Sequence, residues 1–220
     1  MVRDYLRNLM AFAPEDEEGV AAYCCDELAH LGLRVRQDET GNIYADSGVW
    51  AHVCLNAHLD CRPEGIGADD RCGIAAILGA VDTVDAWQKV LLTTGEESGG
   101  IGSQEVPDWW WAGIDLCASF DRYGNADIIT HYAGRQLAPD ATLERVAQVA
   151  RRCGMRPNLT PSKSMADAYR FAEHVPCVNI ATGFYDEHSR REYYVLEDVE
   201  TAACVAAALV REDWYLDGRR

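Results

Sequence analysis

Three short stretches hold the residues best able to do chemistry: Asn56-Ala57-His58-Leu59-Asp60, Gly67-Ala68-Asp69-Asp70-Arg71-Cys72-Gly73 and Thr94-Gly95-Glu96-Glu97-Ser98-Gly99-Gly100. Each follows an apolar run or opens a helix, so imidazole and carboxylate groups stand where regular structure gives way to loop. Together they describe one divalent-metal site, because imidazole nitrogen and carboxylate oxygen are ligands for such ions. Residues two apart in a strand point the same way, so His58 can bind a metal while Asp60 orients its ring. Taken singly, each stretch has a plainer reading. His-x-Asp is usually incidental, Asp69-Asp70 suits a helix cap, and Glu96-Glu97 suits a solvated loop. The combination outweighs these, since glycines near Asp69-Asp70 and Glu96-Glu97 permit close approach and neighbouring glutamates can divide labour between a metal and a proton.

The elements that must position these residues follow from hydrophobic periodicity. Val2, Leu6, Leu9 and Met10 form one helical face. Val20, Cys24, Leu28 and Leu31 form a second, stopped by Gly32. Strands are expected at 33–36 and 43–45, and over 49–57, which is apolar on both faces apart from His52, as in a buried central strand. Ile74, Ile77, Leu78 and Val81 stripe a helix directly after Asp69-Asp70. Further strands are expected at 89–94, at 115–120 with Asp121 closing it, at 127–132 and at 175–181. Helices are expected near 143–150, from about 164 to 174, and around 199–209. Residues 98–102 read as a loose loop. Trp109-Trp110-Trp111 reads as partly buried packing rather than a substrate platform.

Alternating helices and apolar strands predict an α/β protein: a three-layer sandwich with a central, mostly parallel mixed sheet and helices on both faces. Ligand sites in such sheets gather beyond the carboxyl ends of the strands, where His58, Glu96, Glu97 and Asp121 are all expected. The 220 residues suit one domain, so residues 1–220 are expected to form a single catalytic unit. A formal net charge of -16 argues against nucleic acid as a partner. No run approaches membrane-spanning length, and no signal peptide is read. Nine cysteines without CxxC spacing suit a reduced, cytoplasmic protein.

As an ordered set, these motifs resemble the co-catalytic zinc peptidases of the M20, M28 and M42 type, with a flavour closest to tripeptidase-like and M42-like members. The matching pieces are Gly41-Asn42-Ile43-Tyr44-Ala45, His58-Leu59-Asp60, Gly67 to Gly73, Gly95-Glu96-Glu97, Asp121, and His188 within Gly183 to Glu192. The resemblance implies two divalent metal ions, zinc first, with cobalt or manganese as alternatives. It implies that His58 and Asp121 hold one ion, Glu97 and His188 the other, and that Asp69 bridges them. Asp60 would support His58. Glu96 would be the general base on a water shared by the two metals. It also implies a cis peptide bond between Asp69 and Asp70.

The expected reaction is amide hydrolysis of small peptides by an exopeptidase, with aminopeptidase action first. An N-acyl amino acid deacylase or carboxypeptidase with the same site is the alternative, and a metal-stabilised binding or assembly module is the non-enzyme alternative. Glu187 or Asp186 would suit a substrate amine, and Arg135 or Arg190 a substrate carboxylate. His131 or Tyr132 could donate to an oxyanion, although a plain strand role is the first reading of both. Thiolate ligation by Cys61 or Cys72 is the minor reading. The family's lid and dimerisation domain has no room after Asp121, so the site is expected to be open, or covered by a second subunit or the Trp109–Trp111 loop. The oligomeric state is left open. Arg71 stands where many members carry Lys, with little consequence expected.

Overall fold

The computed structural model describes residues 1–48, 51–86 and 88–214. The chain opens with α1 (Val2–Leu9) and α2 (Glu17–His30), followed by β1 (Arg34–Gln37), β2 (Ile43–Asp46), β3 (Val53–His58), α3 (Ala68–Thr83) and β4 (Lys89–Thr93). Next come α4 (Ile101–Gln104), a 3-10 turn (Asp108–Trp111), β5 (Leu116–Arg122), β6 (Asp127–Tyr132), β7 (Arg135–Gln136), α5 (Asp140–Arg152) and β8 (Asn158–Ser162). The chain closes with α6 (Asp167–Phe171), β9 (Cys177–Ala181), the hairpin of β10 (Phe184–Tyr185) and β11 (Tyr193–Tyr194), and α7 (Leu196–Arg211).

The main sheet runs β1-β2-β4-β3-β5-β9-β6-β7, with β8 also on β6. Its centre, β4-β3-β5-β9, is parallel, whereas β1, β2 and β6 join antiparallel at the margins. Every residue of β3 is buried, as its unbroken apolar character requires. One face carries an aliphatic core in which Leu55, Ile74, Leu78, Val178 and Leu209 meet. The other carries a smaller core of Cys54, Cys117, Cys177, Trp110, Trp111 and Phe171. Alternation along β3 explains this division, since Cys54 and Leu55 face opposite ways. Gly73 lets α3 lie against β5, because a Cβ there would stand 1.9 Å from the Phe120 carbonyl oxygen.

The mixed sheet with helices on both faces is the architecture read from the sequence. Several details differ. The central strand begins at Val53, and Val49 and Trp50 lie outside the described residues. The helix expected over 164–174 shrinks to Asp167–Phe171, because Ala166 is extended and Asp167 is tied down by the Thr93 hydroxyl. Residues 98–102 are not a loose loop: they run into α4, and Gly102 packs against Asn42 and Thr94 so closely that any side chain would clash. Strand β8 was not anticipated. It is polar, half-exposed and contains Pro161, features of a strand margin rather than of a buried strand.

Candidate active site

Each candidate ligand arrives from a different element. His58 ends β3, and its backbone N–H donates to Asp70 Oδ2 at 3.3 Å. Its ring Nδ1 meets the Asp60 backbone carbonyl at 2.7 Å, with the Asp60 carboxylate at 3.5 Å. The ring is thus held through main chain first. The Asp60 carboxylate has other work: it accepts the backbone N–H groups of Glu96 and Glu97 at 2.9 and 3.1 Å, fixing the turn after β4.

Asp69 and Asp70 split the two readings of their pair. Asp70 is a helix cap, buried, taking the Gly73 N–H at 3.0 Å, and burial holds its carboxyl well above the usual range. Asp69 faces the site, and the peptide bond between them is cis. Glu192 fixes this turn by accepting the backbone N–H groups of Ile66, Gly67 and Asp69. Arg71 is consequential after all. It is buried, and it donates to the carbonyls of Phe12 and Ala13 at 2.8 and 2.6 Å, tying the α1–α2 turn to the start of α3.

All five candidate ligands meet around Asp69. Its Oδ1 lies 3.1 Å from His58 Nε2 and its Oδ2 lies 3.1 Å from His188 Nε2. Asp121 Oδ1 stands 3.6 Å from His58 Nε2, and Glu97 Oε1 stands 2.6 Å from His188 Nε2. Asp69 therefore presents one oxygen to each histidine, as a bridging carboxylate does. Glu97 Oε1 is buried yet not aligned for a hydrogen bond. Ligands about 2.1 Å from a common tetrahedral ion stand roughly 3.4 Å from each other, and the observed separations of 2.6 to 3.6 Å scatter around that value. Two imidazoles and three carboxylates thus fit a pair of divalent ions of the zinc type. His58, Asp69 and Glu97 alone form one set able to grip an ion, and His58, Asp70 and Asp121 form another.

The electrostatics reflect crowded acids around two rings. Burial disfavours the charged form of His58, but Asp121, Asp60 and Asp69 outweigh it and hold the imidazole well above its usual range. The adjacent carboxylates of Asp69 and Glu97 raise His188 to about 10. Burial pushes Asp69 up, but His188 and His58 win and lower it to about 2. Burial and neighbouring carboxylates, Asp121 foremost, lift Glu96 to about 9. In the metal-free chain, protons hold places that cations would take.

The site opens into a cavity of about 400 Å³ lined by Asp69, Glu96, Glu97, Asp121 and His188 together with Arg62, Arg122, Tyr132 and Glu187. The Trp109–Trp111 loop does not cover it. Lys89, at the opposite end of β4, holds the Trp110 and Ala112 carbonyls, so the loop belongs to the far edge of the sheet. Trp110 and Trp111 are buried and Trp109 is exposed, in line with the packing reading. Arg135 pairs with Glu173 at 2.8 Å, and neither it nor Arg190 lines the cavity. Cys61 and Cys72 are not in either metal-gripping set, and burial raises both thiols. His174 stacks on Trp111 and pairs with Asp108.

Two residues at the site, Asp167 and Glu192, escaped sequence reading. Asp167 is buried, lines a small cavity together with Glu96, takes the Thr93 hydroxyl on one oxygen, and has no aligned partner on the other. Glu192 is 123 residues from the Asp69 N–H that it binds. Tyr132 is buried, and its hydroxyl accepts from Asn179 Nδ2 at 2.8 Å, leaving its own proton available toward the cavity it lines. The sequence itself names Tyr132, the last residue of an apolar strand, as an alternative oxyanion donor.

This sheet, with acidic and imidazole ligands gathered at its carboxyl rim, defines a metal-dependent hydrolase. Comparison with known structures finds the same fold. Aminopeptidase PepT from Bacillus cereus superposes with a TM-score of 0.82 at 14% identity, covering 95% of this chain and 97% of that one. A tripeptidase from Staphylococcus aureus gives 0.80 at 13%, covering 96% and 97%. A Zn-dependent exopeptidase from Parabacteroides distasonis gives 0.74 at 18%, covering 95% and 96%. A sequence comparison with curated proteins returns no match. The model of peptidase family M28 matches residues 42–202, and the chain belongs to that family.

Proposed function

We propose that this metallopeptidase is an aminopeptidase acting on short peptides, with its whole machinery in one catalytic unit spanning residues 1–220. The observation that carries the reading is the convergence of His58, Asp121, Glu97 and His188 on the two oxygens of Asp69, with Glu96 lining the same cavity. His58 and Asp121 would hold one ion, His188 and Glu97 the other, and Asp69 would serve both. When bound, such a pair of ions acidifies a water and polarises the scissile carbonyl. Glu96 takes the proton of the attacking water on its carboxylate and returns it to the leaving nitrogen. Asp60 keeps Glu96 and Glu97 in register through their backbone N–H groups. The Tyr132 hydroxyl, kept in its protonated form by burial, donates to the developing oxyanion.

All nine cysteines are free, which supports a reducing, cytoplasmic setting. No helix among the described residues is long and apolar enough to cross a membrane.

The test is Glu96→Gln, assayed against aminoacyl, dipeptide and N-acyl amino acid substrates with zinc, cobalt or manganese supplied. The expected result is a fall in kcat of about 10²–10⁴-fold, with metal content unchanged by elemental analysis and with free-amino substrates preferred in the wild type. Turnover surviving the substitution would overturn the role of Glu96, and a preference for N-acyl substrates would overturn aminopeptidase action.

A further inference from the structure

Once its ligands are assigned, the cavity retains few charged groups. Two are guanidiniums, Arg62 and Arg122. Arg62 is committed: its Nε donates to Glu97 Oε2 at 2.8 Å and its Nη2 to the Glu97 backbone carbonyl at 2.6 Å. Arg122 is not. One contact, Nη2 to Asp127 Oδ2 at 3.2 Å, anchors it at a single point. Its plane lies over the Tyr123 ring, 3.7 Å from the centroid, which fixes its tilt without using any N–H. Its Nε is buried without a hydrogen-bond partner. Arg122 therefore reaches the cavity held in place and with donors to spare, and a guanidinium in that condition is matched by a carboxylate.

Position narrows which carboxylate. Arg122 follows Asp121 along β5 and lines the same cavity, so the cation belongs to the cavity that holds the proposed metal ligand. An extended peptide spans about 3.5 Å per residue, so a carboxylate gripped here sits one or two residues beyond the bond cut at the metals. The cavity, about 400 Å³, falls at the small end of the 300–1,000 Å³ range for ligand sites.

We infer that Arg122 receives the free C-terminal carboxylate of the substrate, so that the enzyme selects di- and tripeptides by their far end. The inference rests on the peptidase reading above and adds to it a substrate length and the residue that measures it. Arg122 acts in binding, so its loss appears mainly in KM.

The test compares tripeptides carrying a free C-terminus with the same peptides as C-terminal amides, in wild type, Arg122→Gln and Arg122→Lys. The wild type is expected to prefer the acids. Arg122→Gln is expected to raise KM for the acids about 10- to 100-fold with a smaller change in kcat, drawing the acid-to-amide ratio toward one. Arg122→Lys is expected to recover part of the preference, since it restores charge without the planar fork. Binding is measured separately by calorimetry, with tripeptide acid and amide titrated into zinc-loaded Glu96→Gln protein. Equal handling of acid and amide by the wild type overturns the inference and leaves the peptidase reading intact. So does an acid preference that survives Arg122→Gln. If no peptide is cleaved by any variant, the peptidase reading fails, and calorimetry alone decides whether Arg122 reads a carboxylate. Should Arg122→Gln fail to fold, the wild-type ratio and Arg122→Lys decide.

Discussion

The two halves of the site are built differently. His58 is 2% exposed, ends a fully buried central strand, and has its ring held by the Asp60 carbonyl. Its partner Asp121 sits in β5, with its backbone N–H donated to Asn179 Oδ1 at 3.1 Å. His188 is 46% exposed and lies between β10 and β11 at a φ of +57°, a conformation that side chains other than glycine seldom adopt. Its partner Glu97 is in the turn after β4 and depends on Arg62, whose side chain is 47% exposed. The sheet therefore fixes one half in advance, and loops supply the other. Preorganisation lowers the cost of binding, so the His58 half should hold its ion more tightly.

The sharpest way to break this contrast is to remove each histidine in turn. His58→Ala is expected to lower activity more than His188→Ala, and each by more than the roughly 10- to 100-fold that loss of a ligand's supporting partner produces at metal sites. Elemental analysis should find the His188 variant retaining about half of its metal, on the two-ion stoichiometry. Equal losses would mean that the halves are equivalent. A gentler probe is stepwise chelation. Metal is expected to leave in two phases, the faster restored by His188-side occupancy, and a single phase would erase the distinction.

Acidity gives the smallest and most graded effect. Both histidines gain protons easily in the metal-free chain because the surrounding carboxylates favour imidazolium. A raised pKa means that the proton-bound form is favoured at low pH and that this competition fades as pH rises through the folded value. Metal affinity should therefore increase with pH over the neutral range, by up to about tenfold per unit for each proton displaced. The His188 half should continue to gain until about pH 10. Calorimetry in buffers of different ionisation enthalpy would count the protons released, and a count of zero would refute the competition.

Much of this was legible in the sequence, for identifiable reasons. His58, Glu96, Glu97 and Asp121 were readable because apolar runs end at them, and an α/β sheet places such ends on one rim. The helix after Asp69-Asp70 was readable from its spacing. His188 came only from the family resemblance, since its loop has no periodicity. Asp167 and Glu192 were invisible because their importance lies in partners far along the chain, Thr93 and the 66–69 turn. Arg71 looked like a neutral exchange for Lys because its targets are carbonyls of Phe12 and Ala13, which no side-chain pattern reports. Strand β8 was missed because polar residues and a proline conceal a strand that lies at the sheet margin.

Glu192 gives the exposed half an anchorage that its solvent exposure conceals. Four residues after His188, this carboxylate clasps the backbone that presents Asp69. The loop carrying His188 is thereby buckled to the turn carrying Asp69, with no cation needed to join them. The tip positions other than His188 can change in sequence while the buckle keeps that histidine in register with Asp69. A deletion that slides Glu192 by a single position would instead unfasten both loops together.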